Sequence, residues 1–374
     1  MVLAGRADKM WEAPVKVQRT SVGLDVHARS VVACGLDGDT GAVFQRRLTP
    51  DHGEILEWLR SLPGLVAVTY EAGPTGFGLA RFLAAAGVLC LVAAPSKLVR
   101  PCGDRVKTDA RDAAHLARLL HLGQITEVAI PTQAQEAARD LARARDDCRV
   151  DLMSARQRVS KLLLRQGIVY YGGQAWTGKH EMWLRGQHFD NPALSMVYDA
   201  ALDAMVTCVH RRDRLDDAIT VMAADSEFTP VVRRLGCLRG VSTLTAFGLA
   251  VEIGDWSRLT GRSIGAYLGL VPTENSSGAT RAQGGLTKTG NGHARRLLVE
   301  AAWHHRPPYR PSRDLRRRWQ AAPTGARERA HAANHRLHHR WASFDARKKQ
   351  RVVANAAIAR ELAGWCWSLA VMDH

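Results

Sequence analysis

The feature that most constrains the fold is an alternation of strand-like and helix-like segments between Ser21 and Leu122. Short runs rich in β-branched residues predict strands, because such residues suit a pleated, half-buried surface. These runs fall at 21–36 (two strands around a bend), 41–49, 65–70 and 88–93, and segments with helical spacing lie among them at 52–61, 76–86 and 108–122. The alternation predicts an α/β domain over residues 21–131, after a polar leader at 1–20.

A long helix with a narrow apolar stripe is predicted after Pro131. Between Gln135 and Arg165 the stripe follows heptad spacing through Leu141, Cys148, Leu152, Ala155, Val159 and Leu162. This spacing is typical of a coiled-coil seam, but Arg145 interrupts it, so a partner helix must cover it. Residues 196–223 offer that helix, and the Gly- and Trp-rich link at 170–183 predicts a loop. We therefore expect a helical coiled-coil arm over 132–230, suited to dimerisation.

The third region, 231–374, is predicted to be a mainly α domain. Its segment CLRGVSTLTAFGLAVEIGDW has the pattern helix, turn at Gly240, helix. A helix-hairpin-helix-like element of this kind can bind phosphate through backbone N–H groups at a helix start. The same pattern also fits an ordinary tight turn between helices. The last helix, at 352–371, is apolar enough to pack back on the fold.

The charge of the chain is strongly basic and unevenly distributed. Lys and Arg exceed Asp and Glu by 16 overall. Between His293 and Arg351 there are 14 Arg and 2 Lys against 4 acids, a net of +12, together with seven His. Aromatic residues are interleaved with these arginines: Trp303, Tyr309, Trp319 and Trp341. Since guanidinium and aromatic groups pair with phosphates and stack on bases, this tail predicts nucleic-acid binding, with a merely solubilising tail as the alternative.

The cysteines and the apolar runs bear on the compartment. The seven cysteines are scattered singly without a CxxC pair, which argues against a zinc site or a disulfide framework and fits a reducing compartment. The N-terminus is charged where a signal peptide needs an apolar core, and no run of 18 apolar residues occurs. We expect a cytoplasmic, nucleoid-associated protein without a membrane segment.

Four carboxylates are the leading candidates for metal chemistry. Asp25 lies in a strand pattern, and Glu71 ends the next strongly hydrophobic strand, before a Gly-rich turn. Asp109 and Asp112 are three residues apart at a helix start, so they share one face. Glu71 has an alternative role as a helix-capping acid, and Asp109 and Asp112 have one as solvated acids at a helix start. Together they are the acid set of an RNase H-like or RuvC-like nuclease core, and their oxygen ligands favour Mg²⁺, or Mn²⁺, over zinc.

A second candidate site is the loop Asn275-Ser276-Ser277-Gly278, which sits in a basic and Gly-rich context. Serine pairs before Gly are usually turns. Here the basic residues Arg281, Lys288, Arg295 and Arg296 follow. Such a loop can approach a phosphate backbone and present a hydroxyl that attacks a phosphodiester. Tyr309 suggests a tyrosine recombinase instead, but two prolines beside it disfavour that, and no Walker A motif supports ATP use.

The motifs together resemble the DEDD-type insertion-sequence transposases, a family also known as bridge-RNA-guided recombinases. The resemblance covers about 21–372 and rests on the runs GLDVH, YEAGPTGFGLARFL, VAAPSKLVRPCGDRVKTDARDAAHLARLL, CLRGVSTLTA, YLGLVPTENSSG and GGLTKTGNGHARRLLVEAAW. Their order and spacing are specific, although no single motif is.

The resemblance implies a mechanism. It makes Asp25, Glu71, Asp109 and Asp112 the Mg²⁺ ligands of a RuvC-like domain, and Ser277 the nucleophile, with Ser276 as the fallback. It implies dimers that pair into tetramers, with an active site shared between subunits, and a structured guide RNA that pairs with donor and target DNA. Lys107 is a candidate phosphate contact or an ordinary solvated lysine.

Three functions therefore compete. The first is a DNA recombinase that cuts and rejoins strands through a phosphoserine link without ATP. The second is a RuvC-type junction-resolving endonuclease that uses water as the nucleophile. The third is a non-catalytic nucleic-acid-binding protein.

Overall fold

The computed structural model describes residues 19–99, 108–278, 280 and 282–372. The chain forms two compact units, the first ending at Pro131 and the second beginning at Thr132. The mixed α/β N-terminal region and the mainly helical remainder predicted from the sequence are both confirmed.

A five-stranded mixed sheet forms the centre of the first unit. Its strands are β1 (Arg19–Val26), β2 (Val31–Asp37), β3 (Val43–Leu48), β4 (Leu65–Glu71) and β5 (Leu89–Ala93). The order across the sheet is β3-β2-β1-β4-β5. The first three strands pair antiparallel, whereas β4 and β5 run parallel to β1. The helices are α1 (His52–Arg60), α2 (Gly78–Ala85) and α3 (Asp109–His121), with a 3₁₀ turn at Pro95–Lys97.

The close packing of α3 on β1 depends on Gly23. A Cβ atom at Gly23 would lie 2.1 Å from the carbonyl oxygen of Ala113 and 2.5 Å from the backbone nitrogen of Ala117. Both are backbone atoms of α3, so no side-chain rotation relieves the clash. Only a glycine at this position lets the helix approach the strand so closely.

The second unit begins with two long helices that pack along each other, α4 (Gln133–Arg165) and α6 (Pro192–Ala224). The apolar stripe predicted on α4 is buried at Cys148, Leu152, Ala155, Val159 and Leu162. Arg145, which interrupts the stripe, forms two hydrogen bonds with the Asp216 carboxylate of α6, at 2.6 and 3.2 Å. The charge that breaks the apolar pattern therefore joins the two helices.

The loop predicted between these helices is wrong in part, because its second half is helix α5 (Gly178–Arg185). Thr177 caps this helix by accepting a hydrogen bond from the His180 N–H. Leu184 is buried, and its carbonyl accepts the Tyr198 hydroxyl at 2.8 Å. The Gly and Trp residues of the link suggested a loop, although the segment forms a short capped helix. Contacts with α6 bury one face of this helix.

The rest of the second unit is helical apart from one hairpin. The helices are α7 (Thr229–Leu235), α8 (Thr243–Ile253), α9 (Ile264–Tyr267), α10 (Gly292–Ala302), α11 (Arg313–Gln320), α12 (Thr324–Ala346) and α13 (Arg351–Ala370), with a 3₁₀ turn at Trp303–His305. The hairpin pairs β6 (Pro272–Glu274) with β7 (Gln283–Leu286). The core between α8, α10, α12 and α13 contains Phe247, Leu298, Trp341 and Ile358.

A buried carboxylate ties α4, α8 and α10 together. The Glu252 side chain in α8 is fully buried and accepts hydrogen bonds from Arg143 of α4, at 2.8 and 3.0 Å. It also accepts hydrogen bonds from Asn291, the N-cap of α10, at 2.6 Å and from His293 at 3.1 Å. Burial alone would raise the pKa of Glu252, but these hydrogen bonds lower it to about 2.

The turn at Gly240, predicted as a helix-hairpin-helix-like element, joins α7 to α8. Gly240 has φ +80°, and a Cβ there would lie 2.4 Å from the Ala301 carbonyl oxygen. The turn is therefore closely packed on the end of α10. Its binding of phosphate stays a prediction.

Among the described helices, α6 is long and apolar enough to cross a membrane by length and composition alone. A single helix of this kind is weak evidence for a membrane span, and α6 packs along α4.

Candidate active site

Asp25 and Glu71 lie at the carboxyl ends of two adjacent parallel strands. In the register of β1 and β4, Leu24 is opposite Tyr70, so Asp25 and Glu71 are the next residues on each strand. Asp25 is half-buried and Glu71 is exposed. The β1–β4 register therefore places these two acids side by side at the carboxyl ends of their strands.

Asp109 and Asp112 lie in the first turn of α3. The helix begins there because the Thr108 hydroxyl accepts a hydrogen bond from the Arg111 N–H and acids favour the positive end of the helix dipole. The close α3–β1 approach at Gly23 brings this turn to the carboxyl end of β1. Asp109 is exposed, and Asp112 is half-buried.

The structure brings Asp25 and Asp109 together with a third residue, His27. Its Nε2 lies 3.1 Å from Asp25 Oδ2 and 3.9 Å from Asp109 Oδ1. One ligand atom from each of the three residues lies within 4.8 Å of the other two. Glu71 and Asp112 lie outside this cluster. Sequence reasoning missed His27, although its position two residues after Asp25 at a strand end was a usable signal.

A cavity of about 890 Å³ opens beside this cluster in the first unit. Asp25, His27 and Glu71 line it, as does the Gly-rich turn 73–76. The Tyr70 hydroxyl holds this turn by donating to the Gly76 carbonyl oxygen at 3.1 Å. The side chains of Asp25, His27 and Glu71 therefore line one cavity that is large enough for part of a nucleotide.

The donor set fits a divalent cation. Two carboxylates from separate elements converge on one point, where their negative charges repel unless a cation lies between them. Carboxylate oxygens suit Mg²⁺ and Mn²⁺, and the imidazole nitrogen of His27 adds a donor that Mn²⁺ accepts more readily than Mg²⁺. Among the described residues, this is the one cluster of three or more such side chains.

Ser277 lies at the exposed tip of the β6–β7 hairpin. Its backbone pairs with that of Thr280, through N–H···O contacts of 3.2 and 3.1 Å, across a turn in which Gly278 has φ +57°. Glycine suits this left-handed conformation, which explains the Ser-Gly pair. The neighbouring Ser276 hydroxyl instead donates to Glu274 at 3.0 Å.

The predicted nucleic-acid contacts differ in what they touch. Lys107 and Arg281 lie outside the described residues. Lys288 is exposed and has a left-handed backbone, with φ +53°. Arg295 donates to the carbonyl oxygens of residues 268 and 289, at 2.9 and 2.8 Å, and Arg296 pairs with acids at 146 and 300. Arg295 and Arg296 therefore make contacts within the protein that stabilise the fold. Their contact with nucleic acid stays a prediction.

Comparison with known families covers both units. Residues 22–167 match the DEDD_Tnp_IS110 family model, described as a transposase. Residues 232–316 match the model described as the Transposase IS116/IS110/IS902 family. The four carboxylates fall within the first match and Ser277 within the second.

Curated relatives agree with these matches. The chain is 42% identical over 302 residues to the putative transposase y4qE of Sinorhizobium fredii, covering 80% of this chain and 74% of that protein. It is 30% identical over 341 residues to the transposase for insertion sequence element IS1533 of Leptospira borgpetersenii, covering 89% and 99% of the two chains. The chain is a DNA transposase and belongs to the IS116/IS110/IS902 family of insertion-sequence transposases.

Proposed function

We propose that this transposase cuts and rejoins DNA strands through a phosphoserine link on Ser277, assisted by a divalent cation held by the N-terminal carboxylates. The observation that carries the proposal is the convergence of Asp25 and Asp109 with His27, beside a cavity that Glu71 also lines. This arrangement, on a sheet of order β3-β2-β1-β4-β5, supports a RuvC-like assignment for the first unit.

Asp25, Asp109, Glu71 and Asp112 are the residues proposed to hold Mg²⁺ or Mn²⁺. A cation bound there supplies positive charge that stabilises the extra negative charge of a five-coordinate phosphate and of the departing sugar oxygen. The protein's own contribution is to fix two of these acids on rigid elements, a strand end and a capped helix start.

Ser277 supplies the nucleophile in this proposal. Its Oγ forms a bond to phosphorus while one P–O ester bond breaks, and the released sugar oxygen takes up the proton that the hydroxyl gives up. Attack by a sugar hydroxyl of another strand reverses the step and rejoins DNA. The number of phosphoester bonds is conserved, so no ATP is required.

We propose in addition that a structured guide RNA selects the donor and target DNA. The support is the family membership and the net charge of +12 between His293 and Arg351. Sequencing of the RNA that co-purifies with the protein tests this. A single structured transcript is expected, and a distribution that mirrors total cellular RNA would contradict the proposal.

A trapping experiment tests the serine. After denaturation, wild-type protein is expected to carry covalently bound DNA, and Ser277→Ala is expected to lose it. Ser276→Ala is the matched control, since it removes a neighbouring hydroxyl that already donates to Glu274. Metal-dependent cleavage that survives Ser277→Ala would instead support the second candidate, a junction-resolving endonuclease that uses water.

A mixing experiment tests how the two halves cooperate. Asp25→Asn and Ser277→Ala are each expected to be inactive alone. If carboxylates and serine from different subunits act on one phosphodiester, mixed oligomers of the two variants regain activity. Normal transposition by Asp109→Asn would refute the metal mechanism and favour a non-catalytic role for the carboxylates.

A further inference from the structure

A groove of about 1320 Å³ lies in the second unit beside the serine hairpin. One wall is formed by α13 and α12. The other is formed by the hairpin itself, including Pro272 of β6 and the run 284–286 of β7, and by the segment 261–265. The groove therefore shares its wall with the element that carries Ser277. We call it the basic groove.

The lining is strongly cationic. Five basic side chains and one acid contribute to it: Arg262, Lys288, Arg336, Arg340, Arg360 and Glu361. Glu361 holds two of them, through Arg336 Nε at 2.6 Å and through Arg340 Nη1. Within residues 19–99, 108–278, 280 and 282–372, no carboxylate pairs with the other three cations. This excess of positive charge fits a polyanion.

The groove also exposes apolar surface, which a site for phosphates alone does not need. Val352 is 67% and Val353 48% exposed, and Trp365 and Leu286 are half-buried in the same lining. An aromatic ring and branched aliphatic side chains next to arginines are the surface on which unpaired bases stack while the backbone meets cations.

The β7 strand, which forms part of the groove wall, allows a ligand to approach its backbone closely. A Cβ at Gly285 would meet nothing within 4 Å, so the β7 backbone faces open space there. Lys288, at the end of this wall, has the left-handed backbone noted above. Such a conformation costs a lysine free energy, and residues held in it cluster at active sites and ligand-binding sites.

We propose that the basic groove binds an unpaired DNA strand that leads to Ser277. The inference rests on the proposed function, since that function brings a DNA strand to the hairpin. A duplex is disfavoured because its base faces are stacked inside the double helix, so it would meet the cations through its phosphates but leave the apolar part of the lining without a stacking partner.

Fluorescence anisotropy tests the charge requirement. The probe is a labelled single-stranded DNA oligonucleotide, measured against a duplex and an RNA of the same sequence. Arg262→Gln/Arg360→Gln is expected to bind single-stranded DNA roughly tenfold more weakly. It should also lower the slope of log K against log salt by about 1.4, since each phosphate contact on a single strand contributes about 0.7. The matched control, Arg60→Gln/Arg185→Gln, removes the same charge from exposed arginines elsewhere and is expected to leave both values near wild type.

A steric variant tests the shape of the groove without changing its charge. Gly285→Val adds a side chain into open space on a strand, where β-branched residues are well tolerated. It is expected to weaken binding of single-stranded DNA severalfold while the thermal midpoint stays near wild type. Gly178→Val is the control, since a Cβ there also meets nothing within 4 Å.

The outcomes separate this inference from the proposed function. If the groove variants bind single-stranded DNA like wild type, or if the groove prefers RNA or duplex DNA, the inference is wrong, whatever the trapping experiment shows. If the groove variants lose binding of single-stranded DNA but Ser277→Ala still forms a covalent adduct with DNA, the serine mechanism is wrong. The proposal that the groove binds an unpaired DNA strand is then still supported. Ser277→Ala itself is expected to bind single-stranded DNA normally.

Discussion

Replacing Glu252 by Gln tests whether one buried carboxylate fixes α10, the helix that follows the serine hairpin. The substitution keeps the shape of the side chain and removes its charge. Arg143, whose side chain is about half exposed, then remains beside a neutral group, and Arg139, whose Nε lies 3.8 Å from Glu252 Oε2, also loses that carboxylate charge. Removing one partner of a fully buried ion pair costs about 3–5 kcal/mol, and the solvation that Arg143 keeps places the expected cost at the lower end of this range.

The pKa of Glu252 gives an independent magnitude. A fall from 4.5 to about 2 corresponds to about 3 kcal/mol of stability at neutral pH, at about 1.4 kcal/mol per pKa unit. Because the pKa is lower in the folded state, this stability is fully present above pH 4.5 and is lost as pH falls towards 2. At pH 3 about 1 kcal/mol of it remains.

Urea unfolding followed by tryptophan fluorescence measures the effect, since eight of the ten tryptophans lie in the second unit. Glu252→Gln is expected to lower the free energy of unfolding by about 3 kcal/mol at pH 7 and by about 1 kcal/mol at pH 3. Glu300→Gln, which removes an exposed acid paired with Arg296, should cost less than about 1 kcal/mol. A gap between wild type and Glu252→Gln that stays constant from pH 7 to pH 3 would refute the reasoning.

Four further predictions concern the first unit and the metal proposed to bind there. Gly23→Ala should destabilise it by about 1–3 kcal/mol and reduce metal-dependent cleavage, because the new Cβ would lie 2.1 Å from the Ala113 carbonyl oxygen; chemical unfolding and a strand-cleavage assay measure both effects. Thr108→Ala should cost about 1 kcal/mol, as the N-cap hydrogen bond of α3 is lost, and a thermal melt detects it. His27→Ala should weaken Mn²⁺ binding more than Mg²⁺ binding, measured by titration calorimetry, since a nitrogen donor is removed. Removal of divalent cations by EDTA should abolish strand cleavage and leave binding of single-stranded DNA unchanged.

The elements of the fold were largely predictable from the sequence because their signals are local. A β-branched run predicts β4, and a Thr followed by acids and an apolar period predicts α3 at its observed start. The heptad stripe on α4 likewise predicts the face that is buried. Local signals failed at α5, whose apolar residues are too few to reveal a short helix without α6 beside it.

The assembly of the site was decided by contacts between distant segments. The sequence placed Asp25 at a strand end and Asp109 at a helix start, but not next to each other. That proximity depends on the close packing of α3 on β1 at Gly23, and His27, two residues after Asp25, lies within reach of both acids.

The sequence by itself thus determined most of the strands and helices, the basic tail and a set of candidate residues for binding a cation or attacking a phosphate. Only the tertiary structure decided that Asp25 and Asp109 share a cluster with His27, that Glu252 is buried among Arg143, Asn291 and His293, and that the hairpin borders a basic groove. The physical reason is that periodicity specifies which face of an element is apolar, whereas the partner of that face is selected by packing among residues far apart in the chain.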